Sequence, residues 1–79
     1  MANFTPAQIK DDIHSVIEGN AATVEKWLAN EPGSWGALAG KAVIACRQQA
    51  GRPLTKDERR LVWKLLWERL QEIKSLRSR

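Results

Sequence analysis

His14 and Cys46, each the sole residue of its type, are the side chains best suited to general-base or nucleophilic work, and the sequence sets them far apart. A nucleophilic thiol needs a base within hydrogen-bond reach. Cys46 instead follows Val43-Ile44-Ala45 and precedes Arg47, so it reads as a small apolar filler of a helix interior. His14 stands between Ile13 and Ile17 at the edge of an apolar face, which reads as structural. One histidine and one cysteine leave no paired-histidine or cysteine-cluster metal site and no internal disulfide. Asp11 and Asp12 are adjacent and diverge around a helix, so they fail as a catalytic carboxylate pair and read as complements to the helix dipole. Gly33-Ser34-Trp35-Gly36 is too short and too apolar to cradle phosphate. No catalytic residue, metal or cofactor is expected, and the chain reads as non-enzymatic.

The residues that remain are suited to contact. Four tryptophans stand beside one phenylalanine and no tyrosine, concentrating large contact area in few side chains. Charge is uneven. Residues 1–46 hold three lysines against five acids, whereas residues 47–79 hold ten Lys and Arg against four acids, so the net +4 arises wholly in the second part. Such asymmetry suits an acidic protein, nucleic acid or anionic lipid. Hydrophobic content of 43% with 28% charged residues excludes wholesale disorder. The chain's 79 residues allow one domain, residues 1–79, near the lower limit of unaided folding.

Four helices are expected to position these side chains, at about residues 6–18, 21–29, 35–50 and 56–76, with no strand. Thr5, Pro6 and Gln8 form a capping box with proline at the first helical position, and Phe4 with Ile9 has the spacing of a hydrophobic staple. Ile9, Ile13, Val16 and Ile17 then share one face. Gly19-Asn20 stops this helix, and Asn20 is expected to cap the next, whose Val24, Trp27 and Leu28 face inward. Asn30-Glu31-Pro32-Gly33 breaks the chain. The third helix should start after Ser34 and end at Gly51. Its Gly36, Ala37, Ala39, Gly40, Ala42 and Ala45 let another helix approach, which predicts a central packing helix. Each glycine weakens it by about 1 kcal/mol relative to alanine. Thr55 and Glu58 form a second capping box, and Asp57, Glu58, Lys74, Arg77 and Arg79 complement the dipole of the last helix.

That last helix carries the functional expectation. At 100° per residue, Leu61, Leu65, Leu76, Val62, Ile73, Leu66 and Leu70 fall on one side. Arg69 interrupts them, its stem able to lie on the core. Including Trp63 and Trp67, the apolar arc is about 240° wide, against somewhat over 100° for a helix that packs on one core. Arg60, Trp63, Lys64, Trp67, Gln71 and Lys74 form a stripe of indoles and cations. The expected architecture is thus an all-α, compact four-helix array with three short helices and a long, amphipathic C-terminal one.

The reading that follows is a small protein–protein interaction module: a regulator, adaptor or accessory subunit. Trp63 and Trp67 would anchor a partner with an acidic or apolar groove, or a second copy in a homodimer, and Arg60, Lys64 and Lys74 would steer it. The alternative is nucleic-acid binding through the basic second part, with the indoles stacked on unpaired bases; Glu68 and Glu72 dilute the charge it needs. A helix-turn-helix reader is disfavoured, since the helix after Gly33 offers only Lys41 before Arg47 for base edges. A role at a membrane surface competes with the core that the same apolar face must build. With no basic region followed by an apolar run at the start and no stretch long enough to span, a cytoplasmic protein is expected.

Overall fold

The computed structural model describes residues 5–77, which contain four helices and no strand. They are α1 (Pro6–Gly19), α2 (Ala21–Leu28), α3 (Ser34–Ala50) and α4 (Lys56–Arg77). The Phe4 half of the expected staple lies outside the described residues. No helix among them is long and apolar enough to cross a membrane.

Local chemistry sets most of the boundaries. At the start of α1 the Gln8 N–H donates to Thr5 Oγ1 at 3.3 Å, and the Thr5 N–H donates to Gln8 Oε1 at 3.0 Å. The same reciprocal pair recurs before α4, where Glu58 N–H donates to Thr55 Oγ1 and Thr55 N–H to Glu58 Oε1. Each box satisfies two backbone groups that a helix start leaves without partners. Glu58 also receives both Arg52 guanidinium nitrogens at 2.7 Å, one on each carboxylate oxygen. That fork ties the connecting segment to the first turn of α4.

One expected cap and one expected helix start resolve differently. Asn20 makes no side-chain cap on α2; its Nδ2 donates backward to the Val16 carbonyl at 2.8 Å and so closes α1. The tight junction leaves the amide nearer the unpaired carbonyls behind it than the N–H groups ahead. Ser34 does not precede α3 but is its first residue, after Gly33 at φ 83°, and its hydroxyl donates to the Glu31 carbonyl at 2.7 Å. α2 ends in a paired motif. Asn30, at φ 61°, donates its N–H to the Trp27 carbonyl, and Glu31 donates to Lys26, which satisfies two orphan carbonyls.

α3 packs against each of the other three helices. Its inward face is Leu38, Ala39, Ala42 and Cys46. Around it close Ile9 and Ile13 of α1, Val24 and Trp27 of α2, Leu54 of the connecting segment, and Val62, Leu66 and Leu70 of α4, as one hydrophobic cluster. The alanines, not the glycines, admit the neighbouring helices. Gly36 and Gly40 face outward, and a Cβ built on either meets nothing within 4 Å.

α4 buries a narrower stripe than its apolar sequence offers. Val62, Leu66 and Leu70 are wholly enclosed, Leu61, Leu65 and Ile73 are half-buried, and Leu76 stays exposed. The molecule measures 42 × 23 × 21 Å. The twenty-two residues of α4 span about 33 Å. The last turn of α4, residues 74–77, is exposed throughout, and there Arg77 pairs with Glu25 of α2.

Candidate functional site

Three helices bring their indoles together. Trp67 of α4 stands between Trp27 of α2 and Trp35 of α3, with ring centroids 5.7 and 5.6 Å away and interplanar angles of 89° and 87°. Both contacts are edge-to-face, the arrangement the aromatic quadrupole favours. Trp27 is buried and Trp35 half-buried, yet Trp67 remains 48% exposed. Its ring thus caps the core on one side and faces solvent on the other. Lys74, two turns further along α4, holds its Nζ 5.8 Å from the Trp27 ring centroid, within cation–π range.

Trp63, one turn before Trp67, is 41% exposed and stands elsewhere. It forms one wall of a shallow apolar trough of about 560 Å³ against α3. Trp35, Gly36, Ala39, Gly40, Val43 and Ile44, the last itself 52% exposed, line the rest of it. Arg60 and Lys64 are exposed. Arg60 precedes Trp63 by three residues and Lys64 precedes Trp67 by three, so each cation lies one turn from an indole.

The expected stripe is therefore divided. Trp67 and Lys74 belong to an indole cluster with Trp27 of α2 and Trp35 of α3, whereas Trp63 belongs to the trough against α3, and Trp35 is common to both. Gln71, expected among them, is half-buried. Sequence reasoning missed the α3 side entirely. The signal was present, since Gly36, Gly40 and Ile44 recur every four residues and so share one face. Small residues on a helix read equally well as a packing surface, and only the tertiary arrangement shows which side of α3 the core takes.

The remaining titratable side chains form separate groups. Cys46 is fully buried, and its thiol is pushed up to about 12 by that burial, then by the charge of Asp12 and its hydrogen bond with that carboxyl. Asp12 is itself raised, chiefly by burial; the Cys46 hydrogen bond opposes this and the Asp11 charge adds to it. With its amide turned to donate, Gln49 reaches both Asp12 carboxylate oxygens. This polar cluster joins α1 to α3, and a thiol held neutral at ordinary pH is a poor nucleophile. His14 Nε2 lies 2.9 Å from Glu18 Oε1 on the exposed side of α1. A second trough, of about 570 Å³, runs between α1 and α4 and mixes Lys10 and Arg69 with Asp11, Glu68 and Glu72. Among the described residues no three His, Cys, Asp or Glu side chains converge as metal donors.

The α3–α4 face thus leaves Trp63, Trp67 and Ile44 exposed, with the exposed Arg60 and Lys64 one turn from the indoles of α4. The chain matches no protein-family model, no curated protein and no solved structure.

Proposed function

We propose that this chain is a non-enzymatic protein–protein interaction module that recruits an acidic partner through the face of α4 carrying Arg60, Trp63, Lys64, Trp67 and Lys74. One observation carries the reading: two tryptophans on adjacent turns of one helix keep 41% and 48% of their surface exposed. Indole is among the costliest side chains to leave in water, and Trp and Arg are enriched where interfaces concentrate their binding energy. The long α4, with its buried stripe on one side and its indoles and cations on the other, serves as core element and as recognition surface. Arg60 and Lys64 speed encounter and select against basic partners.

The test is affinity capture from a lysate with and without nuclease, run in parallel with wild type and Trp63→Ala. A protein captured in stoichiometric amount, resistant to nuclease and lost from Trp63→Ala at an unchanged melting temperature, supports the reading. Recovery that collapses on nuclease treatment replaces it with nucleic-acid binding, in which the same cations meet phosphate and the same indoles stack on bases.

A further inference from the structure

We infer that the trough between α3 and α4 is a docking site for one amphipathic helix with acidic flanks. This rests on the interaction reading and specifies the partner's shape and charge. Two glycines of α3, Gly36 and Gly40, line the trough. Glycine weakens a helix interior, and at Gly36 and Gly40 nothing in the chain compensates, because an added Cβ meets no atom within 4 Å. A use for their missing side chains must come from outside, and a second backbone approaching closely is one. The trough has the proportions for it. From Gly36 to Ile44 it runs eight residues, about 12 Å or two turns of helix, walled by the indoles of Trp35 and Trp63.

Charge points the same way. α3 contains Lys41 and Arg47 and no acid. Arg47 follows Gly40 by seven residues and so continues the same face beyond Ile44. On α4, Lys56, Arg59 and Arg60 precede Trp63 by seven, four and three residues, and Lys64 follows it; all are exposed. Of the acids of α4, Glu58 is bound to Arg52 and Glu68 and Glu72 line the other trough against α1, which leaves Asp57, beside Lys56 in the first turn, against four cations. An apolar channel edged by cations complements a helix with an apolar stripe and Glu or Asp on each side. A second copy of this chain docking by the same face would set these cations against themselves, which disfavours a symmetric dimer there.

The experiment is an amide-resolved NMR titration with a hydrocarbon-stapled helical peptide of about 18 residues, roughly 27 Å long. One peptide carries Leu and Ala along one face with Glu on the flanks; its counterpart replaces Glu by Lys. Each is titrated into wild type and into Gly40→Leu, whose Cβ meets no atom within 4 Å and whose longer side chain projects into the trough; its melting temperature is measured alongside. The expected result is shifts centred on Gly36, Gly40, Ile44 and Trp63, with binding at least tenfold weaker for the Lys peptide and for Gly40→Leu. Gly36→Ala and Gly40→Ala are expected to raise the melting temperature while weakening the Glu peptide severalfold, an opposition that a purely structural role for the glycines does not produce.

Shifts confined to Trp67 and Lys74, unaffected by Gly40→Leu, overturn the trough and leave the interaction reading intact. Equal binding of the two peptides overturns the charge assignment, and no shift at millimolar peptide overturns the docking site. A dimer that dissociates on Gly40→Leu makes a second copy the occupant. Failure of the broader reading is separately visible, as nuclease-sensitive capture.

Discussion

Trp63 and Trp67 have nearly the same exposure and different neighbours, and those neighbours predict how the two rings separate. Trp67 makes two edge-to-face contacts, with Trp27 and Trp35. At about 0.5–1.5 kcal/mol for each aromatic pair beyond the area it buries, Trp67→Ala is expected to destabilise the fold by at least about 1–3 kcal/mol. Trp63 borders the open trough with no such ring contact, so Trp63→Ala should cost less than Trp67→Ala while removing more of the binding. Chemical denaturation of both variants checks this ordering; a larger stability loss at Trp63 would make it the structural ring. Cys46 allows a second residue-scale measurement. A thiol raised to about 12 and fully buried is reached by reagent only through opening of the chain. Its labelling at pH 8 should be roughly a hundredfold or more slower in native protein than in denaturant. Fast native labelling would show that the α1–α3 contact opens readily.

At the scale of elements, Glu58 links a helix start to the segment before it. Its carboxyl is lowered to about 2, first by the hydrogen bonds from Arg52 and then by the Thr55 backbone N–H. A carboxyl lowered by folding contributes stability that is fully present above its ordinary value of 4.5 and is lost as pH falls through about 2. Glu58→Gln keeps an acceptor for Thr55 but loses the charged fork. It should be less stable than wild type at pH 6, and the difference should shrink between pH 4.5 and pH 2. Melting curves across that range check the sign; a gap that widens toward low pH would contradict it. Asp12 acts oppositely, because its raised carboxyl favours folding below the ordinary 3.8 and that contribution is lost as pH rises through the folded value. The two contributions partly offset each other in acid.

For the whole molecule, the uneven charge becomes a prediction about encounter. The proposed face carries Arg60 and Lys64 beside the indoles, and long-range attraction between exposed charges is screened within about 8–10 Å at physiological salt. Arg60→Glu with Lys64→Glu should slow association with an acidic partner by about tenfold or more at low salt and flatten its salt dependence. Dissociation should change less. Stopped-flow measurements over a salt series check this, and an unchanged association rate would reduce the cations to a solvated helix face.

The all-helical character, the two capping boxes, the break at Asn30-Glu31-Pro32-Gly33 and the stop at Gly51 were legible in the sequence. Each depends on residues within a few positions, whose backbone preferences and hydrogen bonds act locally. Burial of Cys46 was legible too, from its apolar neighbours. What needed tertiary structure was the choice among faces. An apolar or small-residue helix surface fits a neighbour in the same chain as well as one in another, and only packing selects between them. The glycines of α3 illustrate the point, for their spacing was readable but the direction they face is set by how α1, α2 and α4 close around Leu38, Ala42 and Cys46. The same packing draws Trp67 toward Trp27 and Trp35 and leaves Trp63 beside the trough. The core of so short a chain fills before all its large apolar side chains are enclosed, and the competition among helices decides which stay outside.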